Sequence, residues 1–448
     1  MKPAALIFSH SISPRLQYVV DFLSLYYGHS FKLVYDPEKY SSSDEPCKIN
    51  YGYQRLSENE IFIHSHALLF ESTIRVVKIE CFQKNNFKAF FKTEGEVGFD
   101  LFASIFYLLS RYEEYLPHRQ DVYGRYAHQN AVAFKENFLH IPLINVWLED
   151  FRNLLAERNT AFMIPHSKFS FLPTYDIDMA WSFRNKGFKR NFGGVLLLLL
   201  KAQFGKAAYR IKVWRQKTED PYDAYNWLNE LHRQYDLRPI YFFLAARTTG
   251  KYDKNIAVSH PEFRQLVESI SSQFSIGLHP SWASGDIPSL LTWEKSTLEH
   301  ISGQPITASR QHYIRLDVPS TYRKLIALGI THDHSMGYGS INGFRASVAT
   351  PFYWYDLKNE EATKLLLHPF CFMDANAYYE QGLSADAALL ELIQFYEAIR
   401  TVNGTMITIW HNSFLGTAKE FSGWRQAYAR FVSIVDNDKN DSRTQAKV

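Results

Sequence analysis

The chain has 448 residues, 46% hydrophobic and 21% charged, a profile that excludes wholesale disorder and supplies enough apolar side chains for two domains. The net charge of +3 is too small to argue for a nucleic-acid partner, and the three cysteines, Cys47, Cys81 and Cys371, are scattered without zinc-site spacing. The longest aliphatic run, residues 195–200, is far below the ~20 residues of a membrane-spanning helix, and His10 and Arg15 interrupt the N-terminal apolar stretch before a signal-peptide core is complete, so a cytoplasmic protein is expected.

Taken in chain order, residues 1–95 predict a small α/β domain. It comprises a strand at 4–8, a helix at 14–27, a strand at 31–35, a loop at 41–46, and strands at 61–64 and 75–81. The period then changes: Leu101, Phe102, Ile105, Phe106, Leu108, Leu109 and Tyr112 share one face of a long helix over 99–116. Its charged, aromatic end, Arg111-Tyr112-Glu113-Glu114-Tyr115, reads either as a docking surface or as a solvated face stacked on a neighbour. Residues 96–166 form a helical bridge to the second half.

From 167 the chain alternates. Strands are predicted at 169–175, 239–244, 274–278, 306–309, 329–332, 365–372 and 406–410, with helices at 222–235, 261–272, 290–301, 321–328 and 387–400. Strand and helix repeated in this way mean parallel strands joined by crossovers, and seven of them fit a distorted (β/α)7 barrel over 167–435. The polar segment 436–448 reads as a disordered, solvated tail. Aromatic residues reach 16%; rings lining a cleft would suit sugar binding, while the plainer reading places most Phe and Tyr in the core.

Polar residues gather where these strands end. Asp176 and Asp178 follow the first strand, His279 the third, Arg310 and His312 the fourth, Asp333 and His334 the fifth, and His411 the last. In a parallel barrel the strand exits form one face, where catalytic groups collect. Asp176 and Asp178 leave one side of an extended strand about 7 Å apart, so one can bind a cation while the other serves as a base, or one can cap the next helix. Arg310 can anchor Asp176, bind a substrate group, or pair with an acidic neighbour at the rim.

The strings Thr174-Tyr175-Asp176-Ile177-Asp178, Gly277-Leu278-His279-Pro280 and Ile409-Trp410-His411 resemble, in order, the first, second and last motifs of NodB-type polysaccharide deacetylases, carbohydrate esterase family 4. Over residues 94–416 the chain resembles a group of such proteins from Bacteroidetes that carry an uncharacterised N-terminal domain. Phe106-Tyr107-Leu108-Leu109-Ser110-Arg111-Tyr112-Glu113-Glu114-Tyr115, Ser309-Arg310-Gln311-His312-Tyr313, Asp333-His334-Ser335-Met336-Gly337-Tyr338 and Gly343-Phe344-Arg345-Ala346-Ser347 carry that likeness. The resemblance implies a NodB-like barrel and a divalent metal, zinc above all, that polarises an acetamide carbonyl and activates water. It assigns Asp176 as general base, Asp178 and His279 as metal ligands and His411 as general acid.

Two departures stand out. The family's second histidine, four residues after the first, is Ala283 here, and Arg-x-Pro-Tyr is replaced by Arg310-Gln311-His312-Tyr313. A catalytic zinc takes three protein ligands, so a replacement is needed. His312 is the candidate, since it shares a side with Arg310 if the strand stays extended; His334 is the second.

Between the first two strands, residues 184–217 carry ten Lys or Arg and no Asp or Glu around the aliphatic run. This segment reads as a peripheral contact with an anionic membrane or as a buried helix with solvated basic flanks. The expected activity is hydrolytic removal of an acyl group, N-acetyl by preference, from a sugar of a cell-envelope glycan or its nucleotide- or lipid-linked precursor. Hydrolysis of another C–N bond, or an inactive carbohydrate-binding barrel, are the alternatives.

Overall fold

A computed structural model describes residues 4–159, 162 and 164–445, with side chains described through residue 438. Four parallel strands, β1 (Ala5–Phe8), β2 (Phe31–Val34), β3 (Cys47–Gly52) and β4 (Ile61–His64), form the N-terminal sheet in the order β2-β1-β3-β4. Helix Pro14–Tyr27 starts where the Ser13 side chain accepts from the Leu16 amide and stops at Gly28, whose φ of 58° is left-handed. Strand β3 was not anticipated, because Lys48 and Asn50 interrupt its apolar run. The strand expected at 75–81 does not form; a two-stranded hairpin, β5 (Phe82–Lys84) and β6 (Phe87–Ala89), begins just after it.

The long helix expected over 99–116 is shorter, Leu101–Leu109, and is buried on every face rather than on one. Arg111 ends it by turning left-handed, at φ 53°, and a 3-10 turn, Tyr112–Tyr115, follows. Arg111, Glu113 and Glu114 are neither solvated nor a docking surface: all three are buried. Arg111 Nε lies 2.8 Å from Glu114 Oε1, and Arg345 of the second half reaches Glu114 Oε2 at 2.6 Å. Buried charge of both signs is tolerated here because each carboxylate meets a guanidinium: Glu113 and Glu114 both pair with Arg111, and Glu114 also pairs with Arg345 across the junction of the two halves.

The second half is a nine-stranded sheet: β7 (Ser170–Ile177), β8 (Ile240–Leu244), β9 (Ser275–His279), β10 (Ala308–Ser309), β11 (His332–Asp333), β12 (Phe352–Asp356), β13 (Glu361–Leu367), β14 (Phe372–Met373) and β15 (Thr405–His411). Their order is β12-β13-β11-β10-β9-β8-β7-β15-β14, and every pairing is parallel except β12 with β13. The segment expected as a single strand at 365–372 splits: β13 pairs with β11 on one side, and β14 pairs with β15 on the other. Residues 368–371 link β13, near one end of the sheet, to β14 at the other, and among the described residues no ladder joins those two strands. Crossover helices Tyr225–Gln234, Pro261–Ser271, Pro288–Ser302, Ser320–Ala327 and Ala385–Arg400 lie close to their expected positions.

The added antiparallel strand β12 marks where the N-terminal unit docks. Buried Arg15 pairs with Glu360 in the β12–β13 turn at 2.5 Å, and Tyr18 donates to the Tyr353 carbonyl at 2.7 Å. One hydrophobic core runs from Ile7 through Phe106 to Tyr355. The last helix, Trp424–Gln445, extends into the segment read as a tail. Asp438 explains part of that extension, since it accepts from the Tyr396 hydroxyl at 2.6 Å; residues 446–448 lie outside the described residues.

Candidate active site

The strand exits converge. Asp178, one residue past β7, meets His279 at the end of β9: His279 Nε2 lies 3.1 Å from Asp178 Oδ1. His312 Nε2 lies 3.4 Å from Asp178 Oδ2. The three ligand atoms offered by Asp178, His279 and His312 all fall within 4.8 Å of one another. Adjacent ligands in a tetrahedral shell with bonds of about 2.0–2.1 Å stand roughly 3.3–3.4 Å apart, so this spacing suits a small divalent cation.

Each imidazole is aimed by its other nitrogen. His279 Nδ1 donates to the Arg310 carbonyl at 2.6 Å, and His312 Nδ1 donates to Asp253 at 3.1 Å, which leaves both Nε2 atoms facing Asp178. Asp178 Oδ1 is buried and accepts no well-aligned hydrogen bond. A carboxylate with an unsatisfied oxygen beside two such imidazoles is a donor set that suits a divalent metal.

His312 arrives by a different route from the one expected. Strand β10 ends at Ser309, and His312 opens a 3-10 turn, His312–Ile314, in which Tyr313 and Ile314 both take positive φ, 58° and 51°. Two consecutive non-glycine residues in the left-handed region are costly, and such backbone persists where its surroundings hold it. One such hold is Arg125, whose Nη1 donates to the Tyr313 carbonyl at 2.6 Å. His334 stays out of the group: its ring stacks on His368 at 4.2 Å, and burial followed by the neighbouring His368 holds its pKa well below the usual histidine range. Asp333 is likewise turned away, accepting from Ser309 Oγ at 2.9 Å and from Ser335, and burial pushes it up to about 6.

Asp176 and His411 flank the group on adjacent strands, where they are paired in register. Arg310, fully buried, donates from Nη1 to Asp176 Oδ1 at 2.8 Å, donates from Nε to the His334 carbonyl at 3.0 Å, and lies over the Phe242 ring. Asp176 Oδ2 stands 3.9 Å from His279 Nε2. His411 Nδ1 donates to Asp374 Oδ1 at 2.6 Å, and its Nε2 lies 3.6 Å from Asp178 Oδ2. Burial opposes charge on His411, yet Asp374 and then Asp178 outweigh it and raise the imidazole to about 10. His312 behaves alike: burial is outweighed by Asp178 and Asp253, and its pKa stands near 9. In return, and against burial, His312, His279 and His411 hold the Asp178 carboxyl well below the usual range.

A cavity of about 540 Å³ opens above these residues, a size suited to a small ligand. Tyr123, Tyr252 and Tyr313 form one wall, backed by Trp282 stacked on Tyr252 at 4.1 Å; Tyr222 and Tyr379 stand among the other lining residues. Tyr123 and Arg125 come from the segment before β7, a contribution sequence reasoning missed. Asp253 and Asp374 were also missed. Asp374 follows the apolar run at 365–372 and carried the same strand-exit signal as His411; Asp253 lies in a loop nine residues past β8, and no local signal marks it.

Residues 5–160 match DUF7033, a family of unknown function. No curated protein matches the chain. Solved structures similar to it include a protein from Mycobacterium smegmatis assigned as a polysaccharide deacetylase, at 14% identity over 61% of this chain and 85% of that one, with a TM-score of 0.39. Another is the PuuE allantoinase, at 11% identity over 61% and 88%, with a TM-score of 0.36. A third is a CE4 family pseudoenzyme from Bacillus anthracis, at 9% identity over 60% and 62%, with a TM-score of 0.31.

Proposed function

We propose that the chain is a metal-dependent hydrolase that removes an acyl group, N-acetyl by preference, from a sugar of a cell-envelope glycan or its precursor. One observation carries the reading: Asp178, His279 and His312 present three convergent ligand atoms between a carboxylate, Asp176, and an imidazole, His411, that each have a dedicated buried partner. The motifs around Asp176, His279 and His411 support it.

Asp178, His279 and His312 would hold the divalent cation, zinc by preference. When bound, such a cation polarises a carbonyl oxygen and lowers the pKa of water. The protein's own groups divide the proton transfers. Hydrolysis of an acetamide adds one water across the C–N bond. Asp176 Oδ2 is the oxygen left free by Arg310, and it accepts the water proton. His411, kept protonated at neutral pH by Asp374, donates to the departing amine nitrogen. Arg310 keeps Asp176 oriented, and the tyrosine walls offer flat faces to a sugar ring.

The test is to load the purified chain with zinc, cobalt or manganese and follow acetate and free amine from N-acetylated oligosaccharides. Equal yields of both products are expected. Fully metallated protein that releases neither would refute deacetylation and leave another C–N bond as substrate; protein that takes up no metal would favour the inactive scaffold.

A further inference from the structure

Shortly after β7 the chain leaves the barrel as a helical hairpin, Gly187–Leu200 and Phe204–Trp214. Of the first helix only Asn191 is buried, so it is not the buried helix that its aliphatic run allowed. Leu196, Leu197 and Leu199 are about half exposed, Leu200 is 77% exposed, and Phe188 and Phe204 are each 66% exposed.

The hairpin is built rather than frayed. Arg210 of the second helix donates to the Arg190 carbonyl at 2.8 Å and lies over the Phe183 ring. Gly194 admits that guanidinium, since a Cβ there would stand 2.1 Å from Arg210 Nη1. Phe188 stacks on Phe192 and meets Trp214 across the hairpin.

Polarity is distributed along the hairpin and not around it. Five consecutive leucines, 196–200, exceed one helical turn of about 3.6 residues, so the end of the first helix is apolar on all sides. Lys186, Lys189, Arg190, Lys212, Arg215 and Lys217 cluster at the opposite, basal end, while Lys201 and Lys206 near the tip have stems long enough to carry their charge outward. No Asp or Glu occurs between 184 and 217. A second copy of the chain would bring the same cations against one another. An anionic lipid surface answers both the apolar tip and the cationic base.

We propose that this hairpin docks the chain on an anionic membrane, with the leucine tip and Phe204 in the acyl boundary and the basic end among the headgroups. The first helix is about 21 Å long, too short to span a bilayer, and among the described residues no helix is long and apolar enough to cross a membrane. The contact is therefore monotopic. It also sets the cavity near the lipid: Arg190 Nη2 donates to the carbonyl of Lys254, a cavity-lining residue, at 2.9 Å. The proposal assumes nothing about the reaction.

The full chain is mixed with vesicles of phosphatidylcholine alone or with phosphatidylglycerol added, and bound protein is measured by flotation. Binding at least about tenfold tighter to the anionic vesicles is expected, weakening as salt rises. Leu196→Glu with Leu200→Glu should lower that binding at least about tenfold while the unfolding transition is kept, and Lys189→Glu with Lys212→Glu should do the same. Absence of binding to anionic vesicles, equal binding to both vesicle types, or undiminished binding of the leucine double variant would overturn the proposal. So would a lipid-free dimer that the leucine variant dissociates while neither form binds vesicles, which would assign the tip to a second copy.

Discussion

Arg310 Nη1 holds Asp176 Oδ1 at 2.8 Å with both side chains buried, which commits one carboxylate oxygen and leaves Oδ2 beside the ligand group. Arg310→Met should therefore leave a buried unpaired carboxylate and cost about 3–5 kcal/mol of folding stability. Adding Asp176→Asn in the same chain should restore part of that loss. Urea unfolding of the single and double variants reads the coupling, and a double variant no more stable than Arg310→Met would mean that the two residues do not act as a pair.

His312 carries its proton at neutral pH in the metal-free protein, with a pKa near 9, and a cation taking Nε2 must displace it. Metal affinity should rise with pH, about tenfold per unit for each proton displaced, and level off above that value. Titrations with zinc in buffers of different ionisation heat give both affinity and proton release. Affinity that stays flat between pH 6.5 and 8, without proton release, would remove His312 from the ligand set.

His411 sits near 10 in the fold against an ordinary value of 6.5. A raised pKa means the folded state prefers the proton, so this stabilisation is fully present below about pH 6.5 and is lost as pH climbs to about 10; its size is on the order of a few kcal/mol. His312 adds a contribution of the same sign that is spent near pH 9. The urea midpoint of the chelated protein should fall across that window, and Asp374→Asn should flatten the part due to His411. If Asp374→Asn follows the parent curve, Asp374 is not the cause.

Arg125 precedes β7 in the chain yet holds the turn that carries His312. Arg125→Met should weaken metal binding several-fold through that turn. Tyr123→Ala should instead leave metal affinity intact and raise KM for an N-acetylated sugar about two- to tenfold, the worth of one lost ring contact. Identical metal affinities for Arg125→Met and the parent would make Arg125 a wall residue only.

The alternation of strand and helix was legible in the sequence because it rests on local periodicity, and the polar residues at strand ends were legible because a parallel sheet sends its exits to one face. Asp176, Asp178, His279, Arg310 and His411 stand out on that ground, and the fold brings them together. Tertiary structure brought His312, and not His334, beside Asp178 and His279, through a left-handed turn at Tyr313 and the stacking of His334 with His368. It also supplied Asp253 and Asp374, whose partners lie 59 and 37 residues away along the chain. The same limit explains the segments read amiss. Arg111, Glu113 and Glu114 look solvated until Arg345 is brought against them, and residues 187–200 allow either a buried or a surface helix until the fold leaves only Asn191 covered. Periodicity reports which side chains share a face, whereas what covers that face is set by contacts between residues far apart in the chain.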